Sequence, residues 1–452
     1  MASTYLSRTP ASAGNRKTWT WSAWLKMGVG SNGRVFSSGT SGTEKSEIAI
    51  AGITNTSGLN VRLRNDSGDG NKSVTLSALQ RDPSAWYHIV VAVDTTQATD
   101  TNRIKIYING ELQTDFSSAS YPSQNVDTYI NSTNQHNVGA LYDGSTSQYF
   151  DGQMAHVHLT DGTAYDADTF GETDATTGIW KPKTAPSVTY GTNGFFLKFE
   201  NSGAMGTDSS GNGNNFTVNG TMTQTIDTPS NVFATMNPLD NYFQGSTFSN
   251  GNTSITTSTS NYSFNTSTLA VSKGKYYWEA KVGANSNLNN MVGIADRLTT
   301  SSTESVGLFT NSYSYSPYLG RLYENGSSTD SWGDSYTTND IISVALDLDN
   351  NKLYFAKNGT WQNSANPSAG TGGISITAPS STNSGVYFSA FGDYSGGVTP
   401  TDWLINFGNG YFGTTQVSSA ENPDDGIGIF EYSVPTGYKA LCTKSINAQE
   451  YD

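Results

Sequence analysis

Apolar and polar residues alternate over short runs along the whole chain, and clusters of Gly, Asn, Asp and Ser separate the runs. A two-residue period is the mark of a strand with one buried face. TWTWSAWLKM (18–27) places Trp19, Trp21 and Leu25 on one face with Ala23 between them. EIAIAGI (47–53), LNVRLRN (59–65) and WYHIVVAVD (86–94) continue in the same style. One figure occurs twice: RIKIYINGELQTDF (103–116) and KLYFAKNGTW (352–361) each follow a strand ending in aspartate, WYHIVVAVD and DIISVALD (340–347). Asn109-Gly110 and Asn358-Gly359 supply two positive-φ residues at low cost, which predicts a type I′ hairpin at each site. No stretch shows sustained helical periodicity with caps. The expected fold class is all-β, two antiparallel jelly-roll-type β-sandwiches in tandem.

The pattern loosens over 166–194 and resumes at FFLKFEN (195–201). DTPSNVFATMNPLDN (227–241), with two prolines, leads into a Ser/Thr/Asn-rich passage that runs to about 268. These shifts predict a first sandwich over 1–228, a connection over 229–268, a second sandwich over 269–410, and a C-terminal extension over 411–452 packing on the second sandwich. Within that second sandwich, KGKYYWEAKVG (273–283) sets Tyr276, Trp278 and Ala280 on one face.

Composition narrows the functional classes. Charged residues are 14% of 452, against ~25% in an average globular protein, and Ser, Thr, Asn and 47 glycines carry the polarity instead. Apolar residues at 35% and aromatics at 12% still suffice for real cores. A net charge of −14 and no Lys/Arg cluster argue against nucleic acid and against anionic membrane surfaces. The opening MASTYLSRTPASAGNRK lacks the apolar core of a signal peptide, and no apolar run is long enough to span a bilayer. A single cysteine, Cys442, excludes an intramolecular disulfide framework, so synthesis in a reducing cytoplasm is expected.

The first half, through TWSAWLK, WYHIVVAVD, IKIYINGEL, VGA and FDGQMAHVHL, resembles the laminin-G-like, concanavalin-type sandwich. The second half resembles a SPRY domain: YYWEAKV, VGIAD, SWGDSYTTNDIISVALDLDNNKLYFAKNGTW and INFGN stand in that family's order between 276 and 409. The two halves, joined by DSSGNGNN…DTPSN…NPLD and ending in PTGYKALC, resemble a group of tailed-bacteriophage structural proteins of tail-fibre or other virion-surface type. The resemblance implies a receptor-binding virion component whose partners are other virion proteins and a host-surface glycan or protein. By analogy with phage fibres it favours a homo-oligomer, with a trimer first. Two other readings stay open here, a capsid decoration or head-fibre protein and a glycan depolymerase.

Catalytic chemistry finds little support. Glycan cleavage needs two carboxylates ~5–9.5 Å apart on one face. The nearest pair, Asp347 and Asp349, stands where a strand runs into the turn NNK, and such residues usually form the turn. His156 and His158 share a strand face but lack a third and fourth metal ligand; with His88 and His136 they read as partly buried, hydrogen-bonded side chains. No Gly-x-Ser-x-Gly elbow stands between a strand and a helix. The expectation is a non-enzyme that needs no cofactor. Calcium is the one candidate ion: Asp208, Ser210 and Asn212, then Gly213, match the first half of an oxygen-rich loop, although Asn219 occupies the twelfth place where a bidentate Glu belongs. Some laminin-G-like proteins use calcium, which the resemblance carries over as a possibility for this loop.

Recognition is the remaining class. SYSYSPYLGRLYENG (312–326) carries Tyr313, Tyr315, Tyr318 and Tyr323, and DSWGDSY (330–336) adds Trp332 and Tyr336. Tyrosine combines a rigid face with a hydroxyl, suited to sugar rings or peptides. Tyr313, Tyr315, Trp332 and Tyr336 are the candidate ligand-binding residues, and Tyr318 and Tyr323 are assigned to the core. The alternative is that alternate tyrosines sit in strands and fill the core. The loops 37–46, 66–73 and 142–150 are comparable candidates in the first half.

Overall fold

The computed structural model describes residues 3–30, 32–53, 56–175, 178–240, 245–258, 262–284, 288–297, 301, 303–394 and 400–450. They fall into two compact units, 1–224 and 225–452. The chain therefore divides after Gln224, before the two prolines.

In the first unit, β1 (Tyr5–Arg8), β2 (Thr18–Met27), β3 (Gly33–Ser41), β4 (Glu44–Ile50), β5 (Asn60–Asn65) and β6 (Gly70–Leu76) come first. Then follow β7 (Trp86–Asp94), β8 (Ile104–Ile108), β9 (Glu111–Leu112), β10 (Phe116–Ser120), β11 (His136–Val138) and the hairpin β12 (Leu141–Tyr142)–β13 (Thr146–Ser147). The unit ends with β14 (Gly152–Asp161), the hairpin β15 (Gly171–Thr173)–β16 (Trp180–Pro182), β17 (Phe195–Leu197) and β18 (Thr217–Asn219). One sheet runs β10-β6-β5-β4-β3-β11-β1-β18 and the other β17-β14-β2-β7-β8-β9. Alternation sends Trp19, Trp21, Ala23 and Leu25 of β2 into the space between them, with Ile89, Val91 and Val93 of β7 and Phe36, Ile48, Val61 and Val74 from the facing sheet. The opposite face of β7 is covered as well, because Val90 packs with Ala167 and Phe170.

The second unit begins with β19 (Thr247–Ser249), β20 (Ser254–Thr256), β21 (Ser263–Val271), β22 (Lys275–Val282), β23 (Asn290–Ala295), β24 (Ser312–Ser316), β25 (Arg321–Glu324) and β26 (Ser327–Thr329). It continues with β27 (Ile341–Asp347), β28 (Lys352–Lys357), β29 (Thr360–Trp361), β30 (Ile374–Ser375), β31 (Tyr387–Asp393) and β32 (Asp402–Asn406). One sheet runs β19-β20-β32-β22-β27-β28-β29, with β30 on β28, and the other β21-β31-β23-β24-β25-β26. Tyr276, Trp278 and Ala280 of β22 point into the core between them, as the alternation predicts.

The stretch expected as a connection, 229–268, instead builds this sandwich. Strand β20 pairs with β32 and β21 with β31, while Ala234, Met236, Ile255 and Phe264 are buried. Its Ser/Thr/Asn content misled because Ser263, Asn265, Thr266 and Ser267 are buried through backbone pairing and internal hydrogen bonds rather than apolar character. Both Asn-Gly hairpins form. Ile108 pairs with Glu111 and Lys357 with Thr360 across two-residue turns, with φ of 50° and 89° at Asn109-Gly110 and 48° and 79° at Asn358-Gly359.

Candidate ligand-binding surface

In β24 the two-residue period puts Tyr313 and Tyr315 inward and Ser312, Ser314 and Ser316 on the opposite face. Tyr313 and Tyr315 are 1% and 0% exposed, and Tyr336 is 4% exposed. The Tyr315 ring meets Tyr336 at 5.1 Å, Trp332 at 5.5 Å and Phe355 at 5.6 Å between centroids. Tyr336 Oη lies 2.9 Å from Tyr315 O and 3.1 Å from Asn290 O, and donates to this carbonyl pair. Burial pushes the Tyr315 and Tyr336 phenols far above their ordinary range. The expectation that Tyr313, Tyr315 and Tyr336 face a ligand is thus corrected: they are core side chains, and Trp332 packs half-buried against them.

Of the two tyrosines assigned to the core, one is exposed. Tyr318 is 39% exposed because the turn Pro317–Gly320 carries it beyond the end of β24, whereas Tyr323, on β25, is buried. Leu319 beside it holds φ at 55°, a left-handed value that strains a branched side chain. Ser331 N–H donates to Leu319 O at 2.9 Å and fixes that turn. Neighbouring strand ends meet here, since Tyr394 N–H donates to Asn289 O at 3.1 Å and Ser316 Oγ to Leu288 O at 3.3 Å. Leu288, Leu319 and Tyr394 are all exposed.

Arg321 ties the corner together. Its Cζ lies 4.6 Å from the Tyr318 ring centroid and 5.6 Å from that of Tyr323. Nη1 donates to Tyr323 Oη at 3.0 Å and Nε to Asp330. The hydrogen bond to Asp330 holds the guanidinium above its ordinary pKa. The ring series continues from Tyr323 to Tyr394 at 6.1 Å and from Tyr394 to Tyr262 at 5.0 Å.

The carboxylate pair weighed for catalysis does not converge. Asp347 is buried, 3.1 Å from Lys275 Nζ, and accepts from Asn350 N and Nδ2 at 3.0 and 2.9 Å. Asp349 lies in the exposed turn and accepts from Gly274 N at 3.0 Å.

Three of the four histidines of the first unit are hydrogen-bonded, whereas His156 Nδ1 is buried without a partner among the described residues. His88 Nδ1 accepts from Trp180 Nε1 at 3.0 Å, which leaves its proton on Nε2, facing Ser22 Oγ at 2.9 Å. His136 Nε2 accepts from Asn131 N at 3.0 Å, so Nδ1–H donates to Asn134 O at 2.8 Å. His158 Nδ1 lies 2.9 Å from Tyr190 Oη. Desolvation lowers the pKa of His88 to about 3 and of His136 to about 4, and holds His158 well below the ordinary range.

At the loop considered for calcium, the Asp208 carboxylate accepts four hydrogen bonds, from Phe196 N, Ser210 N, Ser210 Oγ and Asn214 N at 2.8–2.9 Å. Asn212 turns its Nδ2 toward Gly191 O and Gly194 O. Asp208, Ser210 and Asn212 are thus joined as a hydrogen-bonded turn. Among the described residues no group of three or more His, Cys, Asp or Glu is placed to hold a metal ion.

Residues 2–169 match the family model described as the concanavalin A-like lectin/glucanases superfamily, and residues 275–389 match that of the SPRY domain. Among solved structures, the SPRY domain of human HERC1 is similar at 19% identity, covering 34% of this chain and 86% of that one, with a TM-score of 0.28. A human SPRY domain is similar at 15% identity, covering 34% and 89%, with a TM-score of 0.25. No curated protein matches the chain.

Proposed function

We propose, from the premise that the chain carries a concanavalin A-like domain followed by a SPRY domain, that it is a non-enzymatic recognition component of a tailed-phage particle. In this reading it is of tail-fibre type and binds host-surface glycan or protein. The observation that carries the reading is the corner where Tyr318, Leu319, Leu288 and Tyr394 stand exposed around Arg321. Tyr and Arg on a rigid frame are the side chains that dominate binding energy at recognition surfaces. The corner sits at the ends of paired strands, so little conformational entropy is lost when it is covered. The phage setting draws on the resemblance of the linked halves and the PTGYKALC ending. Other virion proteins anchor the chain in that setting, and several copies, a trimer by analogy with fibres, engage together and multiply a weak single-site affinity.

Antibody against residues of the second unit, used to label purified phage particles for electron microscopy, tests the reading. Label at the tail is the expected result. Label over the head moves the chain to capsid decoration, and its absence from intact particles overturns the virion reading.

A further inference from the structure

We infer that the Tyr318–Tyr394 corner takes a neutral glycan, an assignment that rests on the recognition reading above and names its ligand. Three features of the corner select this class. First, Tyr318 and Tyr394 are amphipathic rings left 39% and 38% exposed on either side of the buried Tyr323. A pyranose lays its apolar C–H face on such a ring while the phenol reaches its hydroxyls.

Second, the Arg321–Asp330 ion pair at the corner is self-neutralised. Arg321 Nε is bonded to Asp330 Oδ1, and Nη1 is taken by Tyr323 Oη. Arg321 Nη2 and Asp330 Oδ2 have no partner among the described residues, and the two side chains remain 20% and 49% exposed. A donor and an acceptor held side by side by one salt bridge match two neighbouring hydroxyls of one sugar. An anionic ligand would gain no net attraction from this pair, and the −14 charge of the chain would oppose it. Third, the strand next to Arg321 and Tyr323 is β26, whose Ser327, Ser328 and Thr329 are all exposed, with Ser328 directly opposite Tyr323. Hydroxyls there extend the polar floor without adding charge. One sugar therefore stacks on Tyr318 with its hydroxyls on Arg321 and Asp330, and a second lies toward Tyr394.

The test is affinity electrophoresis of the full chain through gels holding dextran, galactomannan or hydroxyethylcellulose as neutral polymers, and alginate as a polyuronate. Retention by at least one neutral polymer, little changed by added salt, is expected. Tyr318→Ala and Tyr394→Ala should each weaken retention about tenfold, while Tyr318→Phe keeps most of it because the ring face remains. Both alanine positions are part-exposed, and an unchanged melting temperature separates lost binding from lost folding. Retention by none of the neutral polymers, salt-sensitive retention by alginate alone, or undiminished binding by both alanine variants overturns the inference. Particle labelling at the tail without neutral-polymer binding sinks this assignment alone. Polymer binding by a chain absent from particles sinks the virion reading alone.

Discussion

Asn109 exchanges two hydrogen bonds with His88: its backbone N–H donates to His88 O at 2.8 Å, and its Oδ1 accepts from His88 N at 2.8 Å. Asn358 does the same with Ile341, at 2.8 and 2.9 Å. In both hairpins the asparagine side chain therefore acts as one more peptide group on the ladder, past the point where the strand has turned away. The doubled sequence figure is a structural device, a left-handed turn residue that also satisfies a backbone donor near the start of the neighbouring strand.

That dual role makes a graded prediction. Asn358→Ala forces a Cβ-bearing residue without a local hydrogen bond to hold φ at 48° and leaves Ile341 N–H without its acceptor. A loss of about 2–3 kcal/mol is expected. Asn358→Gly relieves the backbone and keeps only the hydrogen-bond loss, about 1 kcal/mol. Urea denaturation of the full chain measures both: equal losses for the two variants would remove the backbone strain, and a glycine variant as stable as the native chain would remove the side-chain role.

Tyr336 separates core from ligand surface. Tyr336→Phe removes the hydroxyl shared by Tyr315 O and Asn290 O and should lower stability by about 1–2 kcal/mol. Retention on neutral polymers should not move, because the Tyr336 side chain is buried. A variant that folds with native stability but loses retention would return Tyr336 to the binding surface.

The period-two pattern made the strands, both hairpins and the inward faces of β2 and β22 legible in the sequence, since backbone geometry dictates them. It also contained the answer for Tyr313 and Tyr315: SYSYS is itself an alternating strand, and its serines face a second layer around Phe264, Phe309 and Tyr323. A ligand-facing assignment of these two tyrosines runs against that signal. Tyr318 was out of reach for the opposite reason, because its exposure depends on Leu319 adopting a left-handed φ and on Ser331 bonding back to it. Residue identity does not announce such a turn. The Arg321–Asp330 pair was hidden likewise, since it depends on the register that sets β25 beside β26.

Glu279 lies on the face of β22 away from the core, where its carboxylate accepts from Tyr277 Oη at 2.8 Å and from the backbone N–H groups of Glu431 and Tyr432 at 2.8 and 2.9 Å. It anchors the C-terminal segment to the sheet. Burial pushes its pKa up to about 7, above the unfolded carboxyl, so the folded state binds the extra proton. Its pH-linked contribution is then fully present below about pH 4.5 and lost as pH rises through 7, by on the order of 3 kcal/mol. Asp240, raised to about 6 by burial, acts in the same direction over a lower window. Glu279→Gln should flatten the fall in stability between pH 5 and pH 7.5 in urea titrations of the full chain. A variant whose pH slope equals the native one would show that Glu279 is ionised in the fold throughout that range.

The first unit should respond to acid in the opposite sense. His88, His136 and His158 are buried and neutral, each with a folded pKa depressed below its unfolded value near 6.5. A histidine of this kind contributes stability that is complete above 6.5 and declines as pH falls, at ~1.36 kcal/mol per pH unit until its folded pKa is reached. With His88 and His136 at about 3 and about 4, the window runs from pH 6.5 down to that range, and three groups titrating together make the loss steep. Protonation of His88 also takes away the acceptor of Trp180 Nε1 and puts a charge against Trp24, whose ring lies 4.8 Å from the imidazole. Tryptophan fluorescence followed from pH 7 to pH 3 should therefore report a cooperative transition that takes up more than one proton. A transition that binds a single proton, or a signal flat down to pH 3, would mean that these histidines are not held neutral by burial, and the hydrogen-bonded tautomers assigned to them would fail with it.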